Sequence, residues 1–123
     1  MPPPNVPYAK QGGAIEIEIH VGFVVAASFE LAHWAQNTKT VIGTGVNNVV
    51  SQTFLLKPPV AAYEGHIVAW DIVIGKMMNG DDQYRVTVTI RQDGTTIFTH
   101  PWHDKFGSQS KIDIFGGVTL VAA

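Results

Sequence analysis

Apolar and polar residues alternate through most of this chain. Ile15, Ile17, Ile19 and Val21 are separated by Glu16, Glu18 and His20, and Tyr84, Val86, Val88 and Ile90 by Arg85, Thr87 and Thr89. Successive strand side chains point to opposite faces, so this period gives one dry face and one wet face and predicts antiparallel sheet. The same period runs less cleanly through residues 49–57, 95–100 and 112–121. In residues 66–74 both faces are apolar, Val68, Trp70, Ile72 and Ile74 on one and Ile67, Ala69 and Val73 with Asp71 on the other. That predicts a central strand with Trp70 in the core. Residues 23–34 are ambiguous. Phe29, Leu31 and His33 alternate with Ser28, Glu30, Ala32 and Trp34, yet Ala26-Ala27 and Glu30-Leu31-Ala32 are good helix formers. The β surroundings and the short segment favour strand.

Turn residues punctuate these runs. Asp93-Gly94 between two alternating segments is a strong hairpin signal. Asn37-Thr38, Glu64-Gly65 and Asn79-Gly80-Asp81-Asp82 predict turns, and residues 43–48 a loop. Pro58-Pro59 and Pro101 are expected to stop strands, and Gly116-Gly117 to form a bulge or bend. The expected total is about seven or eight strands without a long helix, an all-β antiparallel sandwich of jelly-roll or Ig-like kind, with a small barrel as the alternative. Residues 1–13 carry Pro2, Pro3, Pro4 and Pro7 and end in Gln11-Gly12-Gly13, which reads as a flexible proline-rich arm. Residues 14–123 are expected to form a single domain.

Composition narrows the function. The chain is 46% hydrophobic and 15% charged, more apolar than one small core needs, and this favours a homo-oligomer. Eight basic residues against ten acidic ones give a net charge of -2 without a basic stripe, which argues against nucleic acid or an anionic membrane as partner. The apolar run at 23–27 is too short to span a bilayer. Cysteine is absent, which removes thiol catalysis and Cys-zinc sites. The N-terminus shows no charged segment followed by an apolar run, so the expected location is cytoplasmic, or outside the cell without a cleavable signal peptide.

Candidate chemistry concentrates in His100-Pro101-Trp102-His103-Asp104. Indole offers a stacking surface for the C–H face of a pyranose, and imidazole and carboxylate can bond its hydroxyls. Trp102, His100, His103 and Asp104, placed just past a strand end, together with Trp34, are the expected ligand-binding residues. The plainer reading is local hydrogen bonding with Trp102 packed over the end of the sandwich. His100, His103 and Asp104 are also weak candidates for a divalent metal, with a further ligand from His20, His33 or His66. Within a strand, though, positions 100 and 103 face opposite ways. Asn79, Asp81 and Asp82 lack the spacing of an EF-hand, and Gly43-Thr44-Gly45 lacks the Lys and the third glycine of a phosphate loop. Glu16 and Glu18 read as an ordinary wet strand face. Asp71, on a mainly apolar face, is expected to pair with Arg85 or Arg91. No serine sits in a nucleophile elbow. The reading is therefore a non-enzymatic, lectin-like module that binds a glycan or another small polar ligand without a cofactor. The alternatives are a self-assembling structural subunit and a metal-dependent enzyme.

Overall fold

The computed structural model of the chain describes residues 3–22, 25–46, 51–77 and 82–123. Its strands are β1 (Asn5–Tyr8), β2 (Ile15–Gly22), β3 (Val25–Ala35), β4 (Thr38–Val46), β5 (Ser51–Leu56), β6 (Ile67–Lys76), β7 (Gln83–Gln92), β8 (Thr95–Lys105) and β9 (Lys111–Ala122), with a 3-10 turn at Val60–Tyr63. One sheet has five strands in the order β1-β9-β6-β3-β4, and the other four in the order β5-β2-β7-β8. Two sheets with separate edges make a sandwich, not a closed barrel. β6 lies at the centre of the larger sheet, as its two apolar faces require, and residues 25–35 are strand rather than helix.

The alternating residues form the core. Ile15, Ile17 and Ile19 of β2 and Val86, Val88 and Ile90 of β7 are fully buried, facing Leu31, Val68, Trp70, Ile72 and Ile74 from the opposite sheet. Asp93 and Gly94 take positive φ values of 52° and 78°, and Gln92 pairs with Thr95 across the turn. That is the two-residue primed turn whose twist suits a hairpin.

Four expectations are corrected. Residues 1–13 are not a free arm over their whole length. Asn5–Tyr8 form β1, which runs parallel to β9, and Val6 and Tyr8 enter the core. The Tyr8 hydroxyl donates to the Val60 carbonyl at 2.8 Å. Strand β8 continues through Pro101 to Lys105 because it is a sheet edge, where a missing N–H costs no ladder bond. Gly116 and Gly117 pair in regular register with Trp70 and Ala69; the irregularities fall at Leu31/Ala32 and Ile90/Arg91. Residues 43–46, read as loop, complete β4. The expected loop at 47–48, strand residues 49–50 and the Asn79, Gly80 and Asp81 portion of the turn lie outside the described residues.

Two adjacent side chains, Gln92 and Asp93, bracket residues 9–13 of the N-terminal segment. Gln92 is 5% exposed, and its amide accepts from the Ala9 N–H at 2.8 Å and donates to the carbonyls of Ala9 at 2.8 Å and Gly13 at 3.1 Å. The Asp93 carboxylate accepts from the Gly13 N–H at 3.2 Å. Gln92→Ala leaves these backbone groups without their partner and is expected to cost about 1–3 kcal/mol, read as a lower urea midpoint. A midpoint equal to wild type would show that the bracket does not hold the segment.

On the outer face of the smaller sheet, Glu18 accepts from Ser51 Oγ at 2.8 Å and from Arg91 Nη2 at 3.0 Å. The Ser51 bond, and after it the Arg91 bond, holds the Glu18 carboxyl below its ordinary value of 4.5. A lowered folded pKa contributes stability that is present above 4.5 and lost as pH falls through the folded value. Glu18→Gln is expected to flatten the acid limb of a plot of urea midpoint against pH. An unchanged limb would reject the role.

Candidate functional site: a trough on the five-stranded sheet

Strand register assembles a surface that no single segment contains. Leu31, Trp70 and Gly116 lie in one transverse row of the five-stranded sheet and face inward. Parity then turns the adjoining row outward: Ala32 on β3, Ala69 on β6 and Gly117 on β9, with Val41 on β4 at its end. Trp34, Ile67 and Thr119 form the outward row on one side, and Glu30, Asp71 and Phe115 the row on the other. Same-face rows are about 6.7 Å apart, so the flanking rows stand roughly 13 Å from each other across a floor of small residues.

The result is a trough of about 520 Å³ lined by Pro3, Pro4, Trp34, Gln36, Ile67, Ala69, Phe115, Gly116 and Gly117. Phe115 is 74% exposed, an uncommon position for a large aromatic ring. Polar groups crowd one side. Lys39 forms an ion pair with Glu30, and its Nζ sits 6.0 Å from the centre of the Trp34 ring. Glu30 is the direct cross-strand partner of Asp71, and Asp113 lies one outward position beyond Phe115 on β9.

Asp71 does not meet Arg85 or Arg91. Those arginines belong to β7 of the other sheet, where Arg91 binds Glu18. Asp71 Oδ1 is buried without a hydrogen-bond partner. The hydrogen bond with Asp113, then burial, then the negative charges of Asp113 and Glu30 raise the Asp71 carboxyl above its ordinary value of 3.8, against the pull of Lys39. The Asp71–Asp113 pair thus sets closely spaced carboxyl oxygens beside an aromatic trough.

The residues expected at a sandwich-end loop have other positions. Trp34 lines the trough. His100, Trp102, His103 and Asp104 are not past a strand end but inside β8. Their register with Val88, Val86, Arg85 and Tyr84 sends His100, Trp102 and Asp104 to the inner side of this edge strand and His103 to the outer side. Trp102 is half-buried, its ring 6.0 Å from core Trp70 and 4.5 Å from His100. His103 Nε2 is 3.2 Å from Gln83 Oε1. His100 and His103 therefore do not converge on a metal. Among the described residues no three His, Cys, Asp or Glu side chains group to hold one. His33 and His66 instead meet each other, and His20 stands on β2 of the other sheet. Asn79 and Asp81 lie outside the described residues, while Asp82 accepts from Lys76 Nζ at 3.1 Å. Among the described residues no helix is long and apolar enough to cross a membrane.

Phe115, Ala69, Ala32 and Gly117 carry no chemical motif. Of these only Ala69 falls on the apolar second face of residues 66–74, and Gly117 carried only the expectation of a bulge. Comparison with protein-family models, curated proteins and solved structures found no match.

A raised carboxyl pKa disfavours the charged form in the folded state. The resulting loss of stability is absent below 3.8 and grows as pH rises toward the folded value. Asp71→Asn is therefore expected to raise the urea midpoint at pH 7, with the gain shrinking as pH approaches 3.8. A lower midpoint at pH 7 would mean that the ionised carboxylate is stabilised where it stands.

Proposed function

We propose that the chain is a non-enzymatic carbohydrate-binding module whose site is the outer trough of the five-stranded sheet. The observation that carries this reading is the floor of Ala69, Gly116 and Gly117 running between Trp34 and Phe115. A pyranose has flat C–H faces and a rim of hydroxyls. Exposed indole and phenyl rings stack against the faces, and small floor residues let the sugar lie close to the sheet. Hydroxyls both donate and accept, which suits Glu30, Gln36 and the Asp71–Asp113 pair. A volume of about 520 Å³ falls in the usual range for small-ligand sites. Placing the ligand on a rigid sheet also limits the entropy lost on binding.

The exposed Phe115 favours a second reading, in which this face meets another copy of the chain. Light scattering at tens of micromolar separates the two. A stable dimer that Phe115→Ala converts to monomer assigns the face to self-association and removes it as a glycan site.

The binding test is a glycan array followed by calorimetry on the best ligand. Trp34→Ala and Phe115→Ala are each expected to weaken binding by on the order of tenfold or more, about 1.4 kcal/mol. Phe115→Ala should change stability by no more than about 0.5 kcal/mol, as for other surface substitutions. Trp102→Ala should leave affinity unchanged. Wild-type affinity in both trough variants, or no glycan bound by wild type, would remove the proposal.

A further inference from the structure

We propose that His33 and His66 form a two-histidine site for a borderline divalent metal ion, Cu2+, Ni2+ or Zn2+. The site lies where β3 ends and β6 begins, away from the trough. His33 is in register with Val68, so it faces inward while its neighbour Trp34 faces the trough. His66 directly precedes β6, and its backbone is tied on both sides: its N–H donates to the Tyr63 carbonyl at 2.9 Å and its carbonyl accepts from the Leu120 N–H at 2.9 Å.

Distance is the first argument. The two Nδ1 atoms are 3.3 Å apart. Zinc–imidazole bonds are about 2.0–2.1 Å, which puts two nitrogens of a tetrahedral site about 3.3–3.4 Å apart. Both donors therefore already stand at a chelating separation. The second argument is orientation. The rings are within 15° of parallel, and the Tyr63 ring stands edge-on to both, 5.3 Å from His33 and 5.7 Å from His66. Tyr63 packs against both imidazoles at once, which helps keep the pair together and lowers the cost of organising the site.

Without metal, one Nδ1–H donates to the other Nδ1. With metal, both Nδ1 lone pairs must be free. The donating ring meets this by moving its proton from Nδ1 to its own Nε2, so binding requires no net ionisation and no redox change. Imidazole nitrogen selects Cu2+, Ni2+ or Zn2+ over Mg2+ and Ca2+, which prefer oxygen. Among the described residues no third His, Cys, Asp or Glu joins the pair. The other coordination positions fall to water or to a small exogenous ligand. A hollow of about 240 Å³ borders His33 and Tyr63.

The test is calorimetric titration of NiCl2, CuCl2 and ZnSO4 into the full, tag-free chain at pH 7.5. One ion per chain is expected, with MgCl2 giving no binding heat. His33→Asn and His66→Asn should each weaken binding by on the order of tenfold or more, and His100→Asn and His103→Asn by less than about twofold. Should either variant fail to fold, wild-type protein decides the matter through ring nitrogen NMR. Zn2+ should shift the Nδ1 resonances of His33 and His66 and leave those of His20, His100 and His103 in place. Shifts confined to other histidines, equal binding by all variants, or no binding at millimolar metal would each overturn the site.

Discussion

The indole of Trp70 can lie inside the sandwich because the residue beside it on β9 is Gly116. A Cβ at that position would stand 2.8 Å from Trp70 Nε1. This one accommodation constrains the register of the central strands: a one-residue shift of β9 would set either Phe115 or Gly117 beside the indole, and either shift would turn every outward residue of β9 inward. With Trp70 facing in, Ala69 must face out. With Gly116 facing in, Gly117 must face out. The floor of the trough is therefore the reverse side of the packing that holds the core together. Gly117 is itself constrained, because a Cβ there would come within 3.0 Å of the Val68 carbonyl oxygen.

The central strand also carries unsatisfied groups. Trp70 Nε1 and Asp71 Oδ1, on consecutive residues facing opposite ways, are buried without hydrogen-bond partners. Their settings differ. Trp70 sits among Phe98 and Trp102, where a large ring gains enough from packing to offset one missing bond. Asp71 has no such compensation: it lies beside Glu30 and Asp113 on a face that the chain itself does not cover. An unfavourable carboxylate retained on an accessible face fits a binding group better than a structural one.

Most of the fold was legible because it is local. Period-two alternation identified β2 and β7, the double apolar face of residues 66–74 marked the central strand, and Asp93-Gly94 located the hairpin. The errors came from long-range pairing. Asn5–Tyr8 reads as proline-rich arm until β9 is seen to offer it an edge and Gln92, far along the chain, brackets the following residues. Pro101 reads as a stop until β8 is seen to be an edge. The same limit hid the trough. Trp34 was recognisable as a candidate from its aromatic ring, but its neighbours Ala69, Gly117 and Phe115 become a surface only when β3, β6 and β9 are paired. The His100–Asp104 cluster had the opposite defect. Its residues are close in sequence, and the strand that contains them divides them between two faces.

The two outer faces of the sandwich differ in a way that bears on which one acts. On the smaller sheet Glu18 is satisfied by Ser51 and Arg91, and Thr89 bonds Thr99 at 3.2 Å. A polar, internally satisfied face is what a strand needs to remain in water. The larger sheet lacks that balance. Its outward rows combine Phe115, Val41, Ile67 and Trp34 with an acidic cluster of Glu30, Asp71 and Asp113, against which Lys39 pairs with Glu30. Folding alone does not require this combination, since threonines in place of Phe115 and Asp71 would serve a solvated strand as well. What it supplies is an apolar trough with unsatisfied hydrogen-bonding capacity next to it on the same face, the two properties that an amphipathic ligand such as a sugar ring presents in return.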